Sequence, residues 1–149
     1  MNMLKPLTLL SLTALSLVAS AAPNMEEGNW EVTTKMEMEG MPFAMPASKH
    51  NQCMTKKDAI PDTSQKNQDC KMLDQNMSGD TVSWKVQCKG KDGTVDGDGK
   101  ITYSGKTYDG VMQAKMTSPK GEVNVMKMSF QGKHTGACKS KPGKRADDY

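Results

Sequence analysis

The sequence predicts an all-β domain, an antiparallel meander of seven or eight short strands closing into a small barrel or a strongly curled sheet, with a two-sheet β-sandwich as the alternative. Three observations predict it. Apolar and polar residues alternate with period two in most segments beyond residue 21, and turn signals interrupt them roughly every ten residues. Only one short stretch, Thr55–Asp58, starts like a helix. The aliphatic content is thin: beyond residue 21 there are twelve methionines against a single leucine, Leu73. A chain of 149 residues, 36% hydrophobic and 5% aromatic, has room for one domain and excludes a large multidomain enzyme.

Taken in order, Lys5 precedes an uncharged run from Leu7 to Val18, and Ala19-Ser20-Ala21 has the A-x-A pattern of a cleavage site. Residues 1–21 therefore read as a signal peptide, with cleavage after Ala21 or Ala22. The run is too short to span a bilayer, and no second apolar stretch follows, so no transmembrane segment is expected. The mature product is expected in the periplasm or secreted. Residues 22–138 form the single β domain, and 139–149, rich in Lys, form a disordered basic tail. The net charge of +3 is terminal in origin: residues 22–138 carry 15 basic and 15 acidic groups. No basic groove for nucleic acid is indicated.

Gly28–Glu39 alternates, with Trp30, Val32, Thr34, Met36 and Met38 on one face. Gly40–Pro46 is a loop, and His50–Met54 a short strand. Thr55 caps one helical turn with Asp58 in the box position, and Pro61 stops it. Cys70–Met77 and Thr81–Lys89 flank a turn at Ser78-Gly79-Asp80, with Val82, Trp84, Val86 and Cys88 inward. Asp92-Gly93 is a hairpin signal. Thr94–Tyr103 follows, where Gly97 and Gly99 suggest a bend or bulge. Tyr108–Thr117, Glu122–Gly132 and a last short strand to Cys138 complete the meander.

Four cysteines, Cys53, Cys70, Cys88 and Cys138, imply two disulfides in an exported chain. Three pairings are possible. The favoured one is Cys53–Cys70, closing the loop with the helical turn, and Cys88–Cys138, tying a central strand to the last. No C-x-x-C spacing points to redox or haem chemistry.

Methionine is the compositional anomaly. Thioethers are soft ligands for Cu(I) or Ag(I), and they also fill irregular cores and coat adaptable binding surfaces. Met36, Met38, Met112, Met116, Met126 and Met128 fall on inward faces, where core packing is their default role. Met41 and Met45, with Phe43 between Pro42 and Pro46, form the candidate exposed binding surface; with His50 they are the candidate metal ligands, although no metal site or cofactor is expected. Asp92–Ile101 superficially resembles a calcium loop, but Thr94 and Gly105 stand where acids are needed, so it reads as a hairpin with solvent-facing carboxylates. No P-loop, G-x-S-x-G or Rossmann fingerprint is present, and no enzyme is expected.

The ordered landmarks Gly28-Asn29-Trp30-Glu31-Val32, Gln52-Cys53-Met54-Thr55, Asp80-Thr81-Val82-Ser83-Trp84, Tyr108-Asp109-Gly110 and Gly136-Ala137-Cys138 resemble the DUF3617 family of exported bacterial proteins, whose function is not established. Members commonly close on a Gly-Arg-Arg-Leu-Gly-Asp-Cys-like stretch; here Lys133, His134 and Thr135 replace the two arginines and the leucine, and Ala137 the aspartate. The resemblance implies export and a strand-rich fold and supplies no catalytic residues. Gly28-x-Trp30 is also similar to the opening of lipocalin-like barrels, which implies Lys133 lying over the indole of Trp30. The expected function is that of a non-catalytic envelope protein binding a small apolar ligand or an envelope protein partner, with Cu(I)/Ag(I) binding or an enzyme of unknown class as alternatives.

Overall fold

The computed structural model describes residues 22–42, 45–61 and 68–139. The expected signal peptide, Phe43 and the tail beyond Lys139 lie outside the described residues. The described residues form seven strands: β1 Gly28–Met38, β2 Ser48–Met54, β3 Asp69–Ser78, β4 Thr81–Gly90, β5 Gly93–Ser104, β6 Thr107–Thr117 and β7 Val123–Gly136. The expected last short strand is not separate; it continues β7.

All seven form one antiparallel sheet in the order β2-β1-β7-β6-β5-β4-β3. The expected closed barrel or strong curl is not what the chain adopts, nor is there among the described residues a second sheet to make a sandwich. The sheet is open between β2 and β3, its two edges. β2 and β3 do not pair with each other. Among the described residues that follow β2 is a 3₁₀ turn, Lys56–Ala59, which buries Ala59. The Tyr103 hydroxyl donates to the Ala59 carbonyl at 2.8 Å, holding the turn against β5. Both edges are poor templates for pairing: β2 is short, and β3 is charged, almost wholly exposed and broken by a bulge.

The turn is capped largely as its sequence predicts. The Asp58 carboxylate accepts from the Thr55 N–H at 2.8 Å and from the Thr55 hydroxyl at 2.7 Å. The segment before β1 is also tied down: Met25 bridges Gly105, and the Glu26 N–H donates to the Gly105 carbonyl at 3.0 Å.

The core occupies the face predicted by alternation. Trp30 and Val32, Val82, Trp84 and Val86, and Ile101, Tyr103 and Tyr108 belong to one buried cluster. Trp30 meets Tyr108 at 5.4 Å between ring centroids, and Tyr108 meets Tyr103 edge-on, also at 5.4 Å. The Trp30 indole N–H donates to the Glu26 carbonyl at 3.0 Å. Lys133 does not cover this indole: it is exposed and lies opposite Glu31, while His134, opposite Trp30, presents its ring at 5.6 Å. Buried Asn29 is satisfied by Thr135, its amide donating to the hydroxyl at 2.6 Å.

Gly97 and Gly99 do not make a bulge in β5. The β4–β5 register runs unbroken from Thr81↔Thr102 to Gly90↔Gly93. Both glycines instead make room for neighbours. A Cβ at Gly97 would come 2.7 Å from Met112 Cε, and one at Gly99 would strike the Trp84 ring.

The disulfides are Cys53–Cys138 and Cys70–Cys88, correcting the favoured pairing. Cys53 lies opposite Asn29 on one side of β1, and Gly136, two residues before Cys138, lies opposite it on the other. The Cys53–Cys138 Cα atoms are 5.2 Å apart. Cys70 faces Cys88 across the β3–β4 hairpin because of the bulge. Register passes from Asp74↔Lys85 to Met72↔Val86, leaving Leu73 unpaired and 60% exposed. Were Leu73 paired in an unbroken register, Cys70 would face Lys89.

Burial pushes the Tyr108 phenol up to about 12 and raises that of Tyr103 further, the latter by burial first and then by neighbouring Tyr108 and Asp58. The native state thus holds these protons more tightly than the unfolded chain, whose tyrosines titrate near 10. Stability from this source is intact below pH 10 and falls as pH rises toward 12. Urea midpoints across that window are expected to drop in the wild type and to drop less in Tyr108→Phe.

Candidate functional site

The described residues contain no grouping of three or more His, Cys, Asp and Glu side chains placed to hold a metal ion. Met41 is exposed and Met45 half-buried, while His50 lies on the edge strand β2, opposite Val32. Asp96 and Asp98 stand on the regular strand β5 rather than in a cation loop, and Asp96 accepts from the Gln87 amide at 2.7 Å.

The principal hollow lies elsewhere, on the polar face of the sheet, and sequence reading did not identify it. It has a volume of about 610 Å³, and a second hollow of about 350 Å³ shares Lys35, Lys100, Val111 and Ser129 with it. Together they form one trough running across β1, β7, β6, β5, β4 and β3.

Two cross-strand rows build the main hollow. In one, Glu37 faces Lys127, Lys127 faces Gln113, Gln113 faces Asp98, Asp98 faces Lys85 and Lys85 faces Asp74. Charges of opposite sign alternate along it and largely compensate one another. In the other, Lys35 faces Ser129, Ser129 faces Val111, Val111 faces Lys100 and Lys100 faces Ser83. This row has two lysines and no carboxylate. Among the described residues neither Lys35 nor Lys100 is in an ion pair, whereas Lys127 pairs with Glu39 at 3.3 Å.

Val111, between the two lysines, is 50% exposed and puts an apolar side chain in this row. Trp84, Gly99, Met112 and Met128, which alternate with the two rows, complete the lining. Trp84 is buried, and its indole N–H has no partner among the described residues. The signal available in the sequence was Lys35, Val111 and Lys100 on outward positions. What alternation does not contain is the register that brings them into one row.

The fold defines a class: an all-β, single-sheet domain held by two disulfides, with a lysine-bearing trough on its polar face. The family model described as "Protein of unknown function (DUF3617)" matches residues 25–138, and the chain belongs to that family. No curated protein and no solved structure matches it. Among the described residues no helix is long and apolar enough to cross a membrane.

Proposed function

We propose that this chain is a non-catalytic binding protein of the bacterial envelope, exported to the periplasm, that holds a small amphipathic anion in the trough. The observation that carries this reading is the row Lys35–Ser129–Val111–Lys100, common to both hollows and without a carboxylate. Lys35 and Lys100 are three strands apart, about 14 Å along the sheet. Their stems are long enough to bring both ammonium groups toward a shared anionic group, and the stems with Val111 offer apolar contact. The volume of the main hollow, about 610 Å³, falls in the range of small-molecule sites. The trough, open and rimmed with charge, favours an amphipathic ligand over the wholly apolar one expected from a barrel.

Native mass spectrometry of protein purified from the periplasm tests this. The wild type is expected to retain a small anion, and Lys35→Gln/Lys100→Gln to lose it. Both sites are exposed, so folding should be little affected. An unliganded wild type, or equal retention by the variant, contradicts the reading.

A further inference from the structure

The opposite face carries a second feature, a block of methionines that the core does not absorb. Met36 lies directly opposite Met128, and Met38 opposite Met126, on neighbouring strands β1 and β7. The two positions on each strand are two residues apart, so all four project from one face as the corners of a square. Met112 on β6, facing Met128, adjoins it.

Sequence reading assigned these side chains to core packing. Met112 does pack against the core cluster, but Met36, Met38, Met126 and Met128 are not part of it. Each of the four is half-buried, sheltered from bulk water yet reachable. A half-buried, pleated surface ordinarily takes β-branched or aromatic residues. Four unbranched thioethers at the corners of a cross-strand square gain little in strand propensity from that choice. What they supply is four soft sulfur donors on flexible stems.

We infer that the square formed by Met36, Met38, Met126 and Met128 is a binding site for a soft monovalent cation, Cu(I) or Ag(I). Directly opposite side chains on paired strands start about 5 Å apart at Cβ, and those two apart along a strand about 7 Å. Met has enough rotatable bonds to draw three or four sulfurs from these positions onto one ion. Thioether donors select Cu(I) and Ag(I), while Zn(II) takes thiolate, imidazole or carboxylate. The square contains none of these harder donors. The square lies on the opposite face from the two rows that build the trough, whose lining it shares only at Met128.

The test is anaerobic competition for Cu(I) alone against a chromophoric chelator, on the disulfide-bonded mature protein. One Cu(I) per chain is expected, with sulfur-only scattering in X-ray absorption and no competition from Zn(II). Met36→Leu/Met128→Leu should weaken binding at least about tenfold, because Leu keeps most of the volume and removes the sulfur. Met41→Leu/Met45→Leu should bind as wild type does. If the first variant folds poorly, the single variant Met126→Leu is expected to show the same direction of change. No binding by the wild type, equal binding by the Met36/Met128 variant, or loss in the Met41/Met45 variant overturns the inference. A partner that docks on this face through apolar contact alone would leave Cu(I) unbound and so also overturns it.

Discussion

Replacing Cys53 and Cys138 together by Ser is expected to destabilise the domain by about 4–5 kcal/mol, against about 3 kcal/mol for Cys70→Ser/Cys88→Ser. The sequence separations of 85 and 18 set the difference, since a crosslink restricts the unfolded chain more when it closes the longer loop. The longer bond also joins the edge strand β2 to the end of β7, and so holds the first and last parts of the domain on β1. A domain of this size has a stability of roughly 5–15 kcal/mol, so the Cys53–Cys138 variant should be near its unfolding limit at physiological temperature. Thermal unfolding followed by circular dichroism checks the ranking. Equal losses, or a larger loss from Cys70–Cys88, would mean that the unfolded-chain argument does not govern this domain.

Gly132→Val is expected to be the most damaging single substitution within the strands. Gly132 lies opposite Tyr108, and a Cβ there would sit inside the Tyr108 ring. Tyr108 is 5% exposed and in contact with both Trp30 and Tyr103, so it has nowhere to retreat. Overpacking of this kind costs about 3 kcal/mol or more, because the whole aromatic group must shift. Gly121→Ala is the contrast. Its φ is +85° and there is open space where the Cβ would go, so only backbone strain of about 1 kcal/mol is expected. The cost of Gly132→Val should be partly relieved in a Tyr108→Ala background, giving a non-additive double-mutant cycle. Additive costs in urea denaturation would show that Tyr108 is not what Gly132 accommodates.

The strands were legible because each carries its own pattern: Val82, Trp84, Val86 and Cys88 alternate inward wherever β4 is placed. Closure was not, because it depends on whether β2 meets β3, and nothing in either strand states that. The turn at Lys56–Ala59 covers part of the core face instead, a role hinted at only by its cap and Pro61. The cysteine pairing failed for a local reason. Cys70 and Cys88 are equally spaced from Gly79, which suggests a cross-hairpin pair, yet a regular two-residue turn would have put them one residue out of register. The bulge at Leu73 corrects the offset, and no residue there announces it. Gly97 and Gly99 were noticed, but their purpose lies on neighbouring strands, in Met112 and Trp84. The trough was illegible for the same reason: Lys35 and Lys100 are far apart in sequence and meet only through the register of four strands.

The most direct test of the account is lysine acetylation footprinting of the protein as first purified and again after high-salt dialysis, which releases an anion held by ammonium groups. Lys35 and Lys100 should react slowly at first and speed up after dialysis. Lys71 and Lys120, which do not line the trough, should react alike in both samples. Rates at Lys35 and Lys100 that do not change, or that change in step with Lys71 and Lys120, would contradict the assignment of the trough as the ligand site.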